Sequence, residues 1–187
     1  MIYEFCAENV TLLEKAMQAG ARRIELCDNL AVGGTTPSYG VTKAAVELAA
    51  NYDTTIMTMI RPRGGDFVYN DLEIAIMLED IRLTAQAGSQ GVVFGALTAE
   101  KKLDKPNLEK LITASKGMEI VFHMAFDELS DEDQLEAIDW LSQAGVTRIL
   151  TRAGVSGDSL EKRFAHYHRI LEHAKGKIEI LPGGGID

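Results

Sequence analysis

Cys6 and Cys27 each close an extended, strand-like stretch near the start of the chain, Ile2 to Cys6 and Arg23 to Cys27. Thiolates are the soft ligands that Cu(I) prefers. Neighbouring strands lie about 4.8 Å apart, so two sulfurs at matched height on such strands can share one metal ion. Met57, Met59, Met124 and His123 are further ligands by type. The plainer reading is that free Cys and strand Met fill core space. The chain has no Cys-x-x-Cys pair, no Met-x-x-Met run and no His cluster to decide between the two.

A second group suits an anion. Arg61 and Arg63 offer bidentate guanidinium forks. Gly183, Gly184 and Gly185 could let backbone N–H groups converge on a phosphate without Cβ obstruction. Alternatively the glycines only make turns, and Arg61 neutralises an inward glutamate. A third group suits proton transfer: His123 with Asp127 as an acid–base pair, and Glu25 as a further carboxylate beside Asp28. Whether any of these groups catalyses a reaction stays open on residue types alone.

These side chains need a scaffold, and the hydropathy pattern supplies one. Strand-like runs at Ile2–Cys6, Arg23–Cys27, Thr55–Ile60, Gly91–Phe94, Glu119–His123, Thr147–Thr151 and Lys177–Leu181 alternate with helical patterns. The first helix is expected over Val10 to Ala19, capped by Asn9 or Thr11. Ala19-Gly20, Ala87-Gly88 and Ala144-Gly145 repeat one helix-to-strand turn. The repeat of roughly 25 residues compares with about 250 for a complete eight-unit barrel. An open doubly wound sheet also alternates in this way, but the first turn, Cys6-Ala7-Glu8-Asn9, has no glycine fingerprint. The tripled glycine follows the seventh strand, where barrels often hold phosphate.

The prediction is an α/β fold, a TIM-like (β/α) barrel forming one domain over residues 1–187, with seven βα-spaced strands and an eighth still owed at the C-terminus. Barrel sites sit at the C-terminal ends of strands and in the loops that follow. That rule gathers Cys6, Glu25, Cys27, Arg61, Arg63, His123, Asp127 and the glycines at 183–185 on one face. Alternation puts Glu4 with Cys6, Glu25 with Cys27, and Met57 with Met59 and Arg61. An inward Glu4 or Glu25 needs a partner, and Arg61 is the expected one.

The net charge of -9 argues against a nucleic-acid partner. No apolar run reaches the roughly 18 residues of a membrane span, and the N-terminus lacks signal-peptide features. Two cysteines do not make a secreted disulfide scaffold, so a reduced, cytoplasmic setting is expected. The partners expected are a copper ion or a small anionic ligand, with oligomeric state open, a homo-oligomer included.

Several strings resemble the CutC copper-homeostasis family, in order along the chain. They are Glu4-Phe5-Cys6, Arg23-Ile24-Glu25-Leu26-Cys27, Gly33-Gly34-Thr35-Thr36-Pro37-Ser38 and Met59-Ile60-Arg61-Pro62-Arg63-Gly64-Gly65. Phe122-His123-Met124-Ala125-Phe126-Asp127, Thr147-Arg148-Ile149-Leu150-Thr151 and Pro182-Gly183-Gly184-Gly185-Ile186 continue the series. The resemblance implies a cytoplasmic TIM-like barrel implicated in copper tolerance, with copper handling as the role and no settled reaction. The chain departs from the pattern at Met124 and at Arg152-Ala153-Gly154, and the family's last helix–strand–helix segment is not among these residues. The rival expectation is an enzyme acting on a small anionic or phosphorylated metabolite.

Overall fold

The computed structural model describes residues 2–154 and 158–184. Among them, seven strands pair in chain order in one parallel sheet. They are β1 (Glu4–Glu8), β2 (Arg23–Cys27), β3 (Thr55–Met59), β4 (Gly91–Phe94), β5 (Glu119–Phe122), β6 (Arg148–Thr151) and β7 (Glu179–Pro182). The helices between them are α1 (Leu13–Gln18), α2 (Tyr39–Ala49), α3 (Asp71–Ala87), α4 (Lys105–Ala114), α5 (Asp131–Ala144) and α6 (Leu160–Ala174). A doubly wound sheet would reverse strand order part-way; a barrel does not. The sheet curls far enough that β1 residues and β7 residues line one common cavity. This is a TIM-like (β/α) barrel, with seven strands among the described residues.

Strand alternation sorts side chains into two layers. Ile24 and Leu26 of β2 and Ile56 of β3 pack outward with Leu13, Met17, Ala45 and Ala49 of the helices. Val92, Phe94, Ile120, Phe122 and Ile149 do the same against α3, α4 and α5. The alternate positions, Cys27, Met57, Met59, Val93, Val121 and Leu150, meet in a separate inner cluster. Below it lies a charged floor: Arg23 Nε is 3.2 Å from Glu4, and Arg148 reaches Glu119 at 2.8 Å and Glu179 at 3.1 Å. Register makes two of these pairs, since Glu4 is opposite Arg23 and Arg148 opposite Glu179. Glu4 is thus answered by Arg23 and not by Arg61.

Helix starts follow the local sequence. Ser38, Ser130 and Ser159 cap α2, α5 and α6, and Asn70 with Glu73 forms a reciprocal capping box on α3. Gly88 and Gly145, at φ 88° and 92°, end α3 and α5 in the left-handed conformation that glycine adopts without strain. Two elements differ from expectation. β1 continues to Glu8 because Glu8 pairs with Cys27 and the Asn9 amide donates to the Cys27 carbonyl at 2.8 Å. The chain must therefore turn later, through left-handed Asn9 and Leu12, and α1 begins only at Leu13 with no side-chain cap. After β5, the chain makes a short 3₁₀ turn over Met124–Glu128.

Candidate functional site

The C-terminal ends of β1 and β2 bring three ligand-type side chains together. The Sγ atoms of Cys6 and Cys27 and a carboxylate oxygen of Glu25 all lie within 4.8 Å of one another. Cys6 is exposed and Cys27 buried. The loop after β2 presses on the second sulfur. Asp28 and Thr35 pair antiparallel at its neck, with left-handed Gly33 and Gly34 at its closing end. A Cβ on Gly34 would stand 3.1 Å from Cys27 Sγ, so the close approach needs glycine as well as the turn does.

The three groups share protons unequally. Hydrogen bonding from the Cys27 thiol, helped by Glu25 and opposed by burial, draws the Cys6 thiol down to about 7. The same interaction and burial push Cys27 far up, so the thiolate of the pair resides on Cys6. Burial, then the charge of Cys6, raises Glu25 well above the ordinary carboxylate range. Glu25 is 7% exposed, and its Oε1 has no hydrogen-bond partner. It makes no ion pair with Arg61 among the described residues. A buried carboxyl without a cation stays protonated instead.

Above the thiols opens a cavity of about 770 Å3, lined by Glu25, Met59, Arg61, Phe67, His123 and Leu150, among others. Arg61 donates Nη1–H to the carbonyls of Val32 (2.9 Å) and Gly34 (3.0 Å), and Nη2–H to Gly65 (2.7 Å). Its guanidinium also lies 4.9 Å over the Phe67 ring. Arg61 is thus the tie between the loops after β2 and β3. Arg63 turns the other way: it pairs with Glu73 at 2.5 Å and Asp66 at 3.0 Å and covers Tyr69. It lies outside the cavity lining, so the structure separates the two arginines expected to act together.

His123 follows β5 and is 3% exposed. Its Nδ1 accepts the Ala125 amide at 3.1 Å, capping the 3₁₀ turn, and its ring lies 4.8 Å from that of Phe67. Burial and the nearby Arg61 charge hold it down to about 3. At neutral pH it is an uncharged donor and a weak base. Asp127 belongs to another place. It accepts from Thr151 Oγ1 and from the Arg152 amide (3.0 Å), and lines a separate hollow with His166 and Arg169. The acid–base pair of His123 with Asp127 is therefore not assembled.

Gly183 and Gly184 line the main cavity, while Gly185 lies outside the described residues. The Gly183 amide is used by the Thr151 carbonyl at 3.0 Å, and a Cβ on Gly184 would stand 2.8 Å from Met124 Cε. Close packing accounts for these glycines. Asp28 caps Asn29 and stays outside the cavity lining. Met57 fills the space over Gly91, Met59 lines the cavity, and Met124 Sδ accepts from Arg152 at 3.4 Å. Phe67 went unremarked in the sequence although it bridges Arg61 and His123; its position in a loop carries no periodic signal.

The CutC family model matches residues 1–187. The chain belongs to the CutC family. A CutC protein of Enterococcus faecalis is 52% identical over 186 residues, covering 100% of this chain and 89% of the relative. The human copper homeostasis protein cutC homolog is 40% identical over 185 residues, covering 99% of this chain and 65% of the relative. The crystal structure of a CutC protein from Streptococcus agalactiae superposes with a TM-score of 0.95 at 46% identity, covering 100% of this chain and 89% of the other. Among CutC proteins, then, this chain carries its two cysteines at the mouth of the barrel. No helix among its described residues is long and apolar enough to cross a membrane.

Proposed function

We propose that this CutC-family chain handles copper as cargo, taking Cu(I) on the thiolates of Cys6 and Cys27 in a reduced, cytoplasmic setting. One observation carries the reading: two sulfurs and a carboxylate oxygen within 4.8 Å of one another at the open end of the barrel. The donor set fits the ion. Two thiolates are soft ligands for a soft monovalent cation, and Cys6, drawn down to about 7, is about half thiolate at neutral pH. Glu25 is a third donor within reach, and Met59 lines the same cavity. One barrel domain carries this role.

The test is an anaerobic Cu(I) titration against a competing chelator, on the unaltered chain and on a Cys6→Ser/Cys27→Ser double variant. One equivalent is expected to bind to the unaltered chain, with at least about a hundredfold loss in the double variant, since hydroxyls are poor ligands for Cu(I). Equal affinity in the two proteins removes the thiolate site from consideration.

A further inference from the structure

Two buried hydrogen-bond donors in residues lining the main cavity make no hydrogen bond, although the Tyr69 hydroxyl lies near the Arg61 side chain. Arg61 Nε and His123 Nε2 are both without a partner, in residues 4% and 3% exposed. The histidine tautomer follows from its other nitrogen. Nδ1 accepts the Ala125 amide, so the neutral ring must carry its proton on Nε2. The Nδ1–Cε1 edge packs against Gly95, where an added Cβ would stand 2.7 Å from both atoms, which fixes the ring's orientation. Phe67 lies between the two donors, over Arg61 at 4.9 Å and beside His123 at 4.8 Å, and all three line the one cavity.

The arginine adds a charge argument. Its guanidinium is buried and holds three carbonyls, yet no carboxylate lies within ion-pairing distance of it among the described residues. Native proteins pair buried charges, because an uncompensated one costs several kcal/mol. The rest of the lining combines apolar Met59, Met124, Leu150 and Leu181 with Glu4 and the two cysteines. A volume of about 770 Å3 is ample for a small organic molecule.

We infer that the barrel mouth binds a small organic carboxylate, with its charged end on Arg61 Nε–H and His123 Nε2–H and its apolar body against Met59, Phe67 and Leu150. The site keeps Arg61 from the anion site expected of Arg61, Arg63 and the glycine loop but takes His123 and an apolar surface in place of the rest, and it does not depend on the copper reading.

The test uses metal-free protein and three probes: phenylacetate, its neutral isostere phenylacetamide, and inorganic phosphate. Saturation-transfer NMR measures their affinities, and ¹⁵N spectra of the histidine rings report on Nε2 of His123. Phenylacetate is expected to bind, with the amide and phosphate each at least about tenfold weaker, since one lacks the charge and the other the apolar body. Its binding should move the His123 Nε2 resonance. His123→Asn keeps an acceptor for the Ala125 amide but cannot reach the cavity, and should weaken phenylacetate about tenfold; His123→Gln should recover part of that loss. The proposal is overturned if phenylacetate does not bind, if the amide or phosphate binds equally well, or if the Nε2 resonance stays in place at saturation. The last measurement needs no variant to fold.

Discussion

The sulfurs of Cys6 and Cys27 lie within 4.8 Å of each other although the two residues are not opposite in the sheet. Cys6 faces Glu25 across the strands, and Cys27 faces Glu8. The sulfurs therefore approach along a diagonal, with Glu25 completing the triangle. This geometry makes the Cys6 thiol the acidic member, since the Cys27 thiol donates to it. Alkylation of Cys6 by iodoacetamide should rise with pH to half its limiting rate at about 7. Cys27→Ala removes the donor, and the midpoint should move up towards the ordinary thiol range. A midpoint that stays put in the variant would show that Cys27 does not tune Cys6.

Glu25 gives a stability prediction of definite sign. Its folded pKa lies well above its unfolded value, so above the unfolded pKa the folded state binds more protons than the unfolded one. Stability from this group is complete below the unfolded pKa and declines as pH rises through the window up to the folded value. Glu25→Gln keeps the shape and cannot ionise. It should match the parent in mild acid and exceed it by about 1–3 kcal/mol at neutral pH, measured by urea unfolding.

His123 behaves in the opposite sense. Its folded pKa of about 3 is far below the unfolded value of 6.5. Its contribution is complete above the unfolded value and is lost as pH falls towards the folded one. Between pH 7 and about 4.5 the parent should lose roughly 2–3 kcal/mol through this group alone. His123→Asn should remove that part of the slope, whatever its cost at neutral pH. Parallel slopes in the two proteins would mean that the imidazole is not buried as described.

The barrel winding was legible because it repeats: strand alternation, helix periodicity and the Ala-Gly turns at Gly20, Gly88 and Gly145 all recur. Cys6, Glu25 and Cys27 could be gathered because strand parity is local information, and the family resemblance agreed with it. The pairing of charges was not legible. Whether Glu4 meets Arg61 or Arg23 depends on register between strands, which sets Glu4 opposite Arg23. Arg63 also defeats a reading by position. It stands two residues from Arg61 in a loop, and only the fold of that loop sends it to Asp66 and Glu73. His123 and Asp127 were too close in sequence to judge; the 3₁₀ turn over Met124–Glu128 sends them to different hollows.

Arg61 yields the final prediction, since its side chain ties the loops after β2 and β3. Its three side-chain bonds reach Val32 and Gly34 in one loop and Gly65 in the other. Its backbone is fixed separately: the Arg61 amide donates to Thr36 Oγ1 at 2.9 Å, and the Thr36 amide to the Arg61 carbonyl at 2.9 Å. Arg61→Lys keeps the charge but replaces the planar fork by a point-like ammonium, which cannot reach both loops in the same geometry. Losing two charged hydrogen bonds should cost about 3 kcal/mol or more. Hydrogen exchange should quicken at residues 30–34 and 64–67 while the Thr36 amide keeps its protection, because that bond belongs to the backbone pair. Uniform quickening that includes Thr36 would indicate general destabilisation and not the release of a tie between the loops.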